Sequence, residues 1–74
     1  MAKKEEGRIE IVDDSEWLTQ TRIVHEHEEM MITRWKKIEQ AEIIITQIGE
    51  KRRTLTSIVL IGKEIDSLRK ALEE

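Results

Sequence analysis

The chain has 74 residues, with 13 basic and 16 acidic side chains, no cysteine, no proline and a net charge of −3. This length fits one small domain spanning 1–74, and the lack of cysteine excludes disulfides and thiolate metal sites. No apolar run approaches the roughly 20 residues that a membrane span needs, so we expect a soluble, cytoplasmic protein with no membrane partner.

The N-terminal segment combines a charged tail with a short alternating stretch. Residues 1–7 are mostly charged, and we expect them to be disordered. Residues 8–12 then alternate polar and apolar side chains, which predicts a short strand. Asp13 and Glu16 follow with the spacing of a capping box, which predicts that a helix begins near residue 14.

An apolar stripe runs through the middle of the chain. Trp17, Val24, Met31 and Ile38 recur every seven residues, and Trp35 falls beside them at 100° per residue. This spacing predicts one long amphipathic helix over about 14–40. The alternative is a four-strand meander followed by a C-terminal helix, with breaks near 27–29, 39–41 and 49. It fits less well because residues 22–25 and 30–32 do not sort apolar from polar side chains onto two faces.

The last third of the chain predicts a hairpin and a helix. Two β-branched apolar runs, 43–48 and 55–61, flank a charged segment at 49–53, which is typical of a β-hairpin over about 42–61. Because the chain has no asparagine, we expect no two-residue hairpin of the Asn-Gly kind. Ile65, Leu68 and Leu72 then predict an amphipathic helix over 63–73. The expected fold class is therefore α+β, with helices on one face of a small sheet.

An all-α coiled coil built on one long helix is the alternative fold. A heptad frame accommodates Ile44, Ile48, Leu55, Ile58, Ile65 and Leu72. That frame also places Lys51, Gly62 and Arg69 at core positions, which costs stability.

No pattern in the chain indicates catalysis or a cofactor. Residues 25–29, His-Glu-His-Glu-Glu, form the only cluster with metal-ligand side chains, and a zinc site needs three or four ligands where only two histidines exist. We therefore expect no metal, no cofactor and no enzymatic activity. The chain also lacks a glycine-rich phosphate loop and the spacing of a nucleophile triad.

Self-association is the functional expectation. A chain this small without disulfides gains stability most readily from a partner. The sequence predicts a non-enzymatic protein-interaction module that forms a homodimer, with a further protein partner as an open option. The predicted interface consists of Trp17, Val24, Met31, Trp35 and Ile38, the apolar stripe of the expected long helix.

The alternative function is a small nucleic-acid-binding regulator. Two basic clusters could pair with phosphates while a base stacks on Trp35, namely Arg34, Lys36 and Lys37, and Lys51, Arg52 and Arg53. The acidic net charge disfavours this function, because nucleic-acid-binding domains are more often basic.

Overall fold

The fold is an antiparallel five-stranded sheet followed by one short helix. The computed structural model describes residues 7–73. The elements are β1 (Arg8–Asp14), β2 (Leu18–His25), β3 (Glu28–Trp35), β4 (Gln40–Gln47), β5 (Arg53–Ile61) and α1 (Lys63–Leu72). The strands lie in the sheet in chain order, so β1 and β5 are its two edges.

The predicted long amphipathic helix at 14–40 is wrong, because this segment forms β2, β3 and their turns. The coiled-coil alternative is wrong for the same reason, and the fold is mostly β rather than α+β with a long helix. The seven-residue spacing arises from strand and turn lengths: Trp17 and Ile38 lie in turns, while Val24 and Met31 lie on adjacent strands. The disfavoured meander comes close to the observed fold, since the chain turns at 26–27, 36–39 and 48–52.

The predictions for both ends of the described chain hold. The strand expected at 8–12 lies within β1, the hairpin expected at 42–61 is formed by β4 and β5, and the helix expected at 63–73 is α1. The disorder expected for 1–7 falls outside the described residues except at Gly7. A side chain at Gly7 would lie 3.0 Å from the carbonyl oxygen of Val24, so this residue packs closely against β2.

Turn chemistry explains where the sequence signals misled. The Ser15 hydroxyl accepts hydrogen bonds from the backbone N–H groups of Trp17 and Leu18, at 3.3 and 3.2 Å, and so closes the β1–β2 turn. A serine at a helix N-cap uses the same chemistry, which is why the segment resembled a helix start. The β2–β3 connection has only two residues, and Glu26 takes a φ of 51° there. The expectation concerned two-residue hairpins of the Asn-Gly kind, and this one forms without either residue because glutamate occupies a conformation that glycine or asparagine usually supplies.

Strand pairing divides the side chains between two faces. The helix face, on which α1 packs, carries the apolar side chains of Ile9, Ile11, Ile23, Met30, Ile32, Ala41, Ile43, Ile45, Ile58 and Leu60. The opposite face, called here the charged face, carries Glu10, Arg22, Glu29 and Glu42 together with Leu18, Val24, Met31, Trp35, Ile44 and Val59. Apolar and polar side chains alternate only weakly along each strand, but strand pairing collects apolar side chains on the helix face.

The hydrophobic core is very small. Within residues 7–73, Ala41 and Ile65 are the only buried apolar residues. Gly62, with a φ of 52°, reverses the chain after β5, and α1 then returns over the helix face with Ile65 against the sheet. None of the described helices is long and apolar enough to cross a membrane.

Candidate interaction surface

The apolar side chains of the helix face form two cross-strand rows. In one row Ile9 pairs with Ile23, Ile23 with Met30, and Met30 with Ile45. The next row runs from β1 to β5 and consists of Ile11, Thr21, Ile32, Ile43 and Ile58. Directly opposed side chains lie about 4.5–5.5 Å apart at Cβ, so the first row is a continuous apolar band from β1 to β4. In the second row Thr21 is the one polar member.

Helix α1 covers this face only in part. A cleft of about 340 Å³ lies between α1 and the sheet, lined by Ile32, Leu60, Ile65 and Leu72 among others. A second depression of about 280 Å³, lined by Ile23, Met30 and Ile45 with His25 and Glu28, lies at the far end of the same face. Both hollows are open and predominantly apolar, so the helix face can accept apolar surface from outside the chain.

Exposed apolar side chains concentrate on β5 and α1. Eleven large hydrophobic residues in the described chain are 39% to 75% exposed, and six of them lie on these two neighbouring elements. The six are Leu55, Ile58, Val59, Ile61, Leu68 and Leu72. Single exposed apolar side chains are ordinary, whereas these lie along one edge strand and the helix that follows it, with Ile58 and Val59 on opposite faces of the sheet.

The two edges of the sheet differ in how well they are protected. In β1 the pairing register shifts between Ile11 and Asp13, and the strand carries the charged residues Arg8, Glu10, Asp13 and Asp14. Bulges and charges of this kind prevent an edge from pairing with another strand. In contrast, β5 carries no charge after Arg53 and no proline. A bulge at Leu55 interrupts its start, but from Thr56 to Ile61 its edge has regular register and no charge to block strand addition.

A network of ion pairs occupies the charged face. The buried Glu29 carboxylate lies 2.7 Å from the Arg52 guanidinium and 2.9 Å from Nε of Arg22. Arg22 also reaches Glu10 on β1 at 3.3 Å. The contact between Arg22 Nε and Glu29 is an ion pair only, since this buried Nε makes no hydrogen bond. The network ties three strands and the β4–β5 loop together, so this face is stabilised without apolar cover.

The five residues of the predicted interface do not form one stripe. Val24, Met31 and Trp35 lie on the charged face, in different cross-strand rows. Trp17 and Ile38 lie in the turns at one end of the sheet, where Trp17 accepts a backbone hydrogen bond from Lys36 at 2.7 Å. Their role in an interface stays a prediction, but the shared helix on which it depended does not exist.

The first basic cluster has partners within the chain. The Arg34 guanidinium donates to the carbonyl oxygens of Trp35, Ile38 and Gln40, the last two at 2.9 and 3.2 Å. It thereby closes the β3–β4 turn. Lys36 lies 2.9 Å from Asp14, and its hydrogen bond and positive charge hold the pKa of that carboxyl below 3.8.

The two basic clusters lie at opposite ends of β4. Lys37 sits in the β3–β4 turn, with its ammonium 3.9 Å from the centre of the Trp17 ring. Lys51 and Arg52 lie in the β4–β5 loop, and Arg53 opens β5. Because β4 has eight residues, it separates the clusters by about 25 Å. The structure does not bring them together as one phosphate-binding patch.

The histidine cluster surrounds the β2–β3 turn. His25 ends β2 opposite Glu28, and the His27 carbonyl oxygen accepts a hydrogen bond from the Ile48 N–H at 2.6 Å. Within residues 7–73, no three histidine, cysteine, aspartate or glutamate side chains are grouped so as to hold a metal ion.

Comparison of the chain with protein-family models, curated proteins and solved structures found no match. The interaction surface must therefore be interpreted from its own chemistry.

Two parts of this surface are not apparent from the sequence. The apolar rows through Ile9, Ile23 and Met30 were hidden because each strand contributes only one or two members. The second is the exposed edge of β5, which depends on the strand order. The signal available for it was the uncharged run at 54–61, set against the charged residues of 8–14.

Proposed function

We propose that the chain is a non-enzymatic, self-associating interaction module that acts as a homodimer. The observation that carries this proposal is the mismatch between apolar content and burial. The chain is 38% hydrophobic, yet only two apolar residues between 7 and 73 are buried. A second copy is the occupant that a small chain with an incomplete core most readily recruits. The cytoplasmic location expected from the sequence stays a prediction.

The accessible surface area supports this proposal. The chain exposes 6422 Å². A compact monomer of 8.8 kDa would expose about 4,800 Å² by the usual scaling of area with mass. An interface of standard size buries about 800 Å² on each partner. The excess of about 1,600 Å² is therefore enough for a dimer interface.

This conclusion does not depend on residues 1–6 and 74. If these residues exposed as much area as an unfolded chain, they would account for about 1,200 Å². The remainder would still exceed the area of a compact chain of its mass by about 800 Å². This excess area equals the area that one partner buries in a standard interface.

Light scattering coupled to size exclusion tests the proposal. We expect a mass of twice the 8.8 kDa chain at micromolar concentration, falling toward 8.8 kDa on dilution. A mass of one chain at every concentration, up to the highest that stays in solution, would contradict self-association. Apolar burial persists or tightens in high salt. The dimer should therefore survive a change from 50 mM to 1 M NaCl.

The same salt series distinguishes the alternative function, nucleic-acid binding, from self-association. Nucleic-acid binding through Arg34, Lys36, Lys37, Lys51, Arg52 and Arg53 stays a prediction and would weaken steeply with salt. A labelled single strand and a labelled duplex, each titrated at 50 mM salt, test it directly. A salt-sensitive shift without dimerisation would favour the nucleic-acid function over the homodimer.

A further inference from the structure

We infer that two copies join through antiparallel pairing of their β5 edges, which extends the sheet to ten strands. This inference rests on the proposed homodimer and specifies its contact. Both edge strands contain a bulge, but β1 carries four charged residues, while β5 is uncharged from Thr54 to Ile61 and has regular register from Thr56 onward. An exposed, uncharged edge strand is a template for another strand.

Hydrogen bonds at the end of β5 show which of its backbone groups face outward. The Gly62 N–H donates to the carbonyl of Glu39, while the Ile61 N–H donates to the side chain of Glu64, at 3.0 Å each. The Ile61 N–H therefore points away from β4. Because backbone direction alternates along a strand, the N–H and C=O groups of Ser57 and Val59 also point outward. These groups are the ones that a second strand would bond.

The ends of the free edge define the register. Leu55 is the extra residue of a bulge, since Ile45 pairs with Thr56 while Thr46 pairs with Thr54. At the other end, Glu64 already occupies the Ile61 N–H. The regular, unoccupied stretch is therefore 56–60, and its middle residue is Ile58. A two-fold interface pairs a surface with itself, so the axis passes beside Ile58.

This register makes specific pairs. Ser57 of each copy lies opposite Val59 of the other, and the two pairs exchange four backbone hydrogen bonds. The two Ile58 side chains face each other on the helix face as a non-hydrogen-bonded pair, with Cα atoms about 4.5 Å apart.

Because the axis is perpendicular to the sheet, both copies of α1 lie on one side of it. Each helix packs beside β5 and carries the exposed Leu68 and Leu72. Ile58 of both copies then lies at the axis on the side that carries α1, and Val59 of both copies lies beside the axis on the charged face.

Engineered cysteines test the register, since the chain has no cysteine of its own. Ile58→Cys should form a disulfide-linked dimer on mild oxidation, because a Cα separation of about 4.5 Å permits the bond. Val59→Cys is the matched control, as the two residues are 48% and 50% exposed. In this register the two copies of residue 59 are about 8 Å apart at Cα, beyond disulfide reach. We expect at least tenfold faster cross-linking of the first variant.

A second variant covers the case in which Ile58→Cys weakens the dimer. The double variant Thr56→Cys with Leu60→Cys should cross-link through two bonds, because residue 56 of one copy lies opposite residue 60 of the other. Within one strand these positions are about 13 Å apart and cannot bond to each other. Far-UV circular dichroism of each reduced variant confirms that the sheet is retained.

The outcomes separate this inference from the proposed function. A dimeric mass with cross-linking at 58, through 56 and 60, or at both, but not at 59, supports β5 pairing. A dimeric mass with faster or equal cross-linking at 59, or with none at any position, overturns β5 pairing in this register and leaves the homodimer standing. A monomeric mass at all concentrations overturns both.

Discussion

Ile65 is the residue by which α1 holds to the sheet, and Ile65→Ala tests this role. Ile65 is 8% exposed and lines the cleft beneath the helix. The substitution removes three carbon groups, and at about 0.8 kcal/mol for each the transfer term is about 2 kcal/mol. The residual cavity adds up to about 2 kcal/mol, and the higher helix propensity of alanine returns about 0.4 kcal/mol. We therefore expect a loss of about 2–4 kcal/mol.

Ile38→Ala is the control, because it makes the same chemical change at a residue that is 54% exposed. About half of the transfer term applies there and water fills the space, so the expected loss is about 1 kcal/mol. Urea unfolding followed by circular dichroism at 222 nm, at one chain concentration, measures both free energies. If Ile65→Ala cost no more than Ile38→Ala, α1 would not be anchored by this side chain and the packing described here would be refuted.

Four further substitutions, one of them a control, test local features of the fold. Gly62→Ala should cost about 1–3 kcal/mol in urea unfolding because of its φ of 52°. Gly49→Ala, in open space and without a positive φ, should be neutral or stabilise by up to about 1 kcal/mol, and an equal loss at both would contradict the turn geometry. Glu29→Gln removes the buried carboxylate between two arginines, so unfolding should require about 1–3 kcal/mol less; no loss would show that the network is not stabilising. Lys36→Met should return the pKa of Asp14 toward 3.8 in an NMR titration. Because the pair lowers the pKa of Asp14, it stabilises the fold above pH 3.8, and this stabilisation is lost as the pH falls through the folded-state pKa. An unchanged pKa of Asp14 in the variant would refute the ion pair with Lys36.

The sequence predicts the two ends of the fold because their signals are local. The alternation at 8–12, the paired apolar runs at 43–61 and the helical spacing of Ile65, Leu68 and Leu72 each belong to one element. Gly62 marks the boundary before α1, because glycine adopts the positive φ of this turn at little cost. Local periodicity is sufficient where one element contains the whole pattern.

The middle of the chain could not be predicted in the same way, because pairing between strands decides its structure. Within β2, Ile23 is the only large apolar side chain on the helix face, and its apolar partners Ile9 and Met30 belong to other strands. The charged face mixes Arg22 and Glu29 with apolar residues, so alternation is weak along either strand. Such context overrides the weak local preference of a short segment.

Only part of the candidate surface could be predicted from the sequence. The expectation of self-association follows from small size and lack of disulfides, but the location of the interface does not. The tryptophan stripe depended on a helix that is absent, while the β5 edge becomes recognisable only once the strand order leaves it unpaired. An edge is a property of topology, and the sequence of one strand does not show whether a neighbour covers it.

The central claim is that a second copy completes the structure of this chain, and the concentration dependence of its thermal unfolding tests that claim most directly. Binding to the folded state alone raises the unfolding midpoint by mass action. We therefore expect the midpoint to rise by several degrees for each tenfold increase in chain concentration, with reversible unfolding at each step. A midpoint that stays constant over a hundredfold range would contradict the claim, since the fold would then be complete in a single chain.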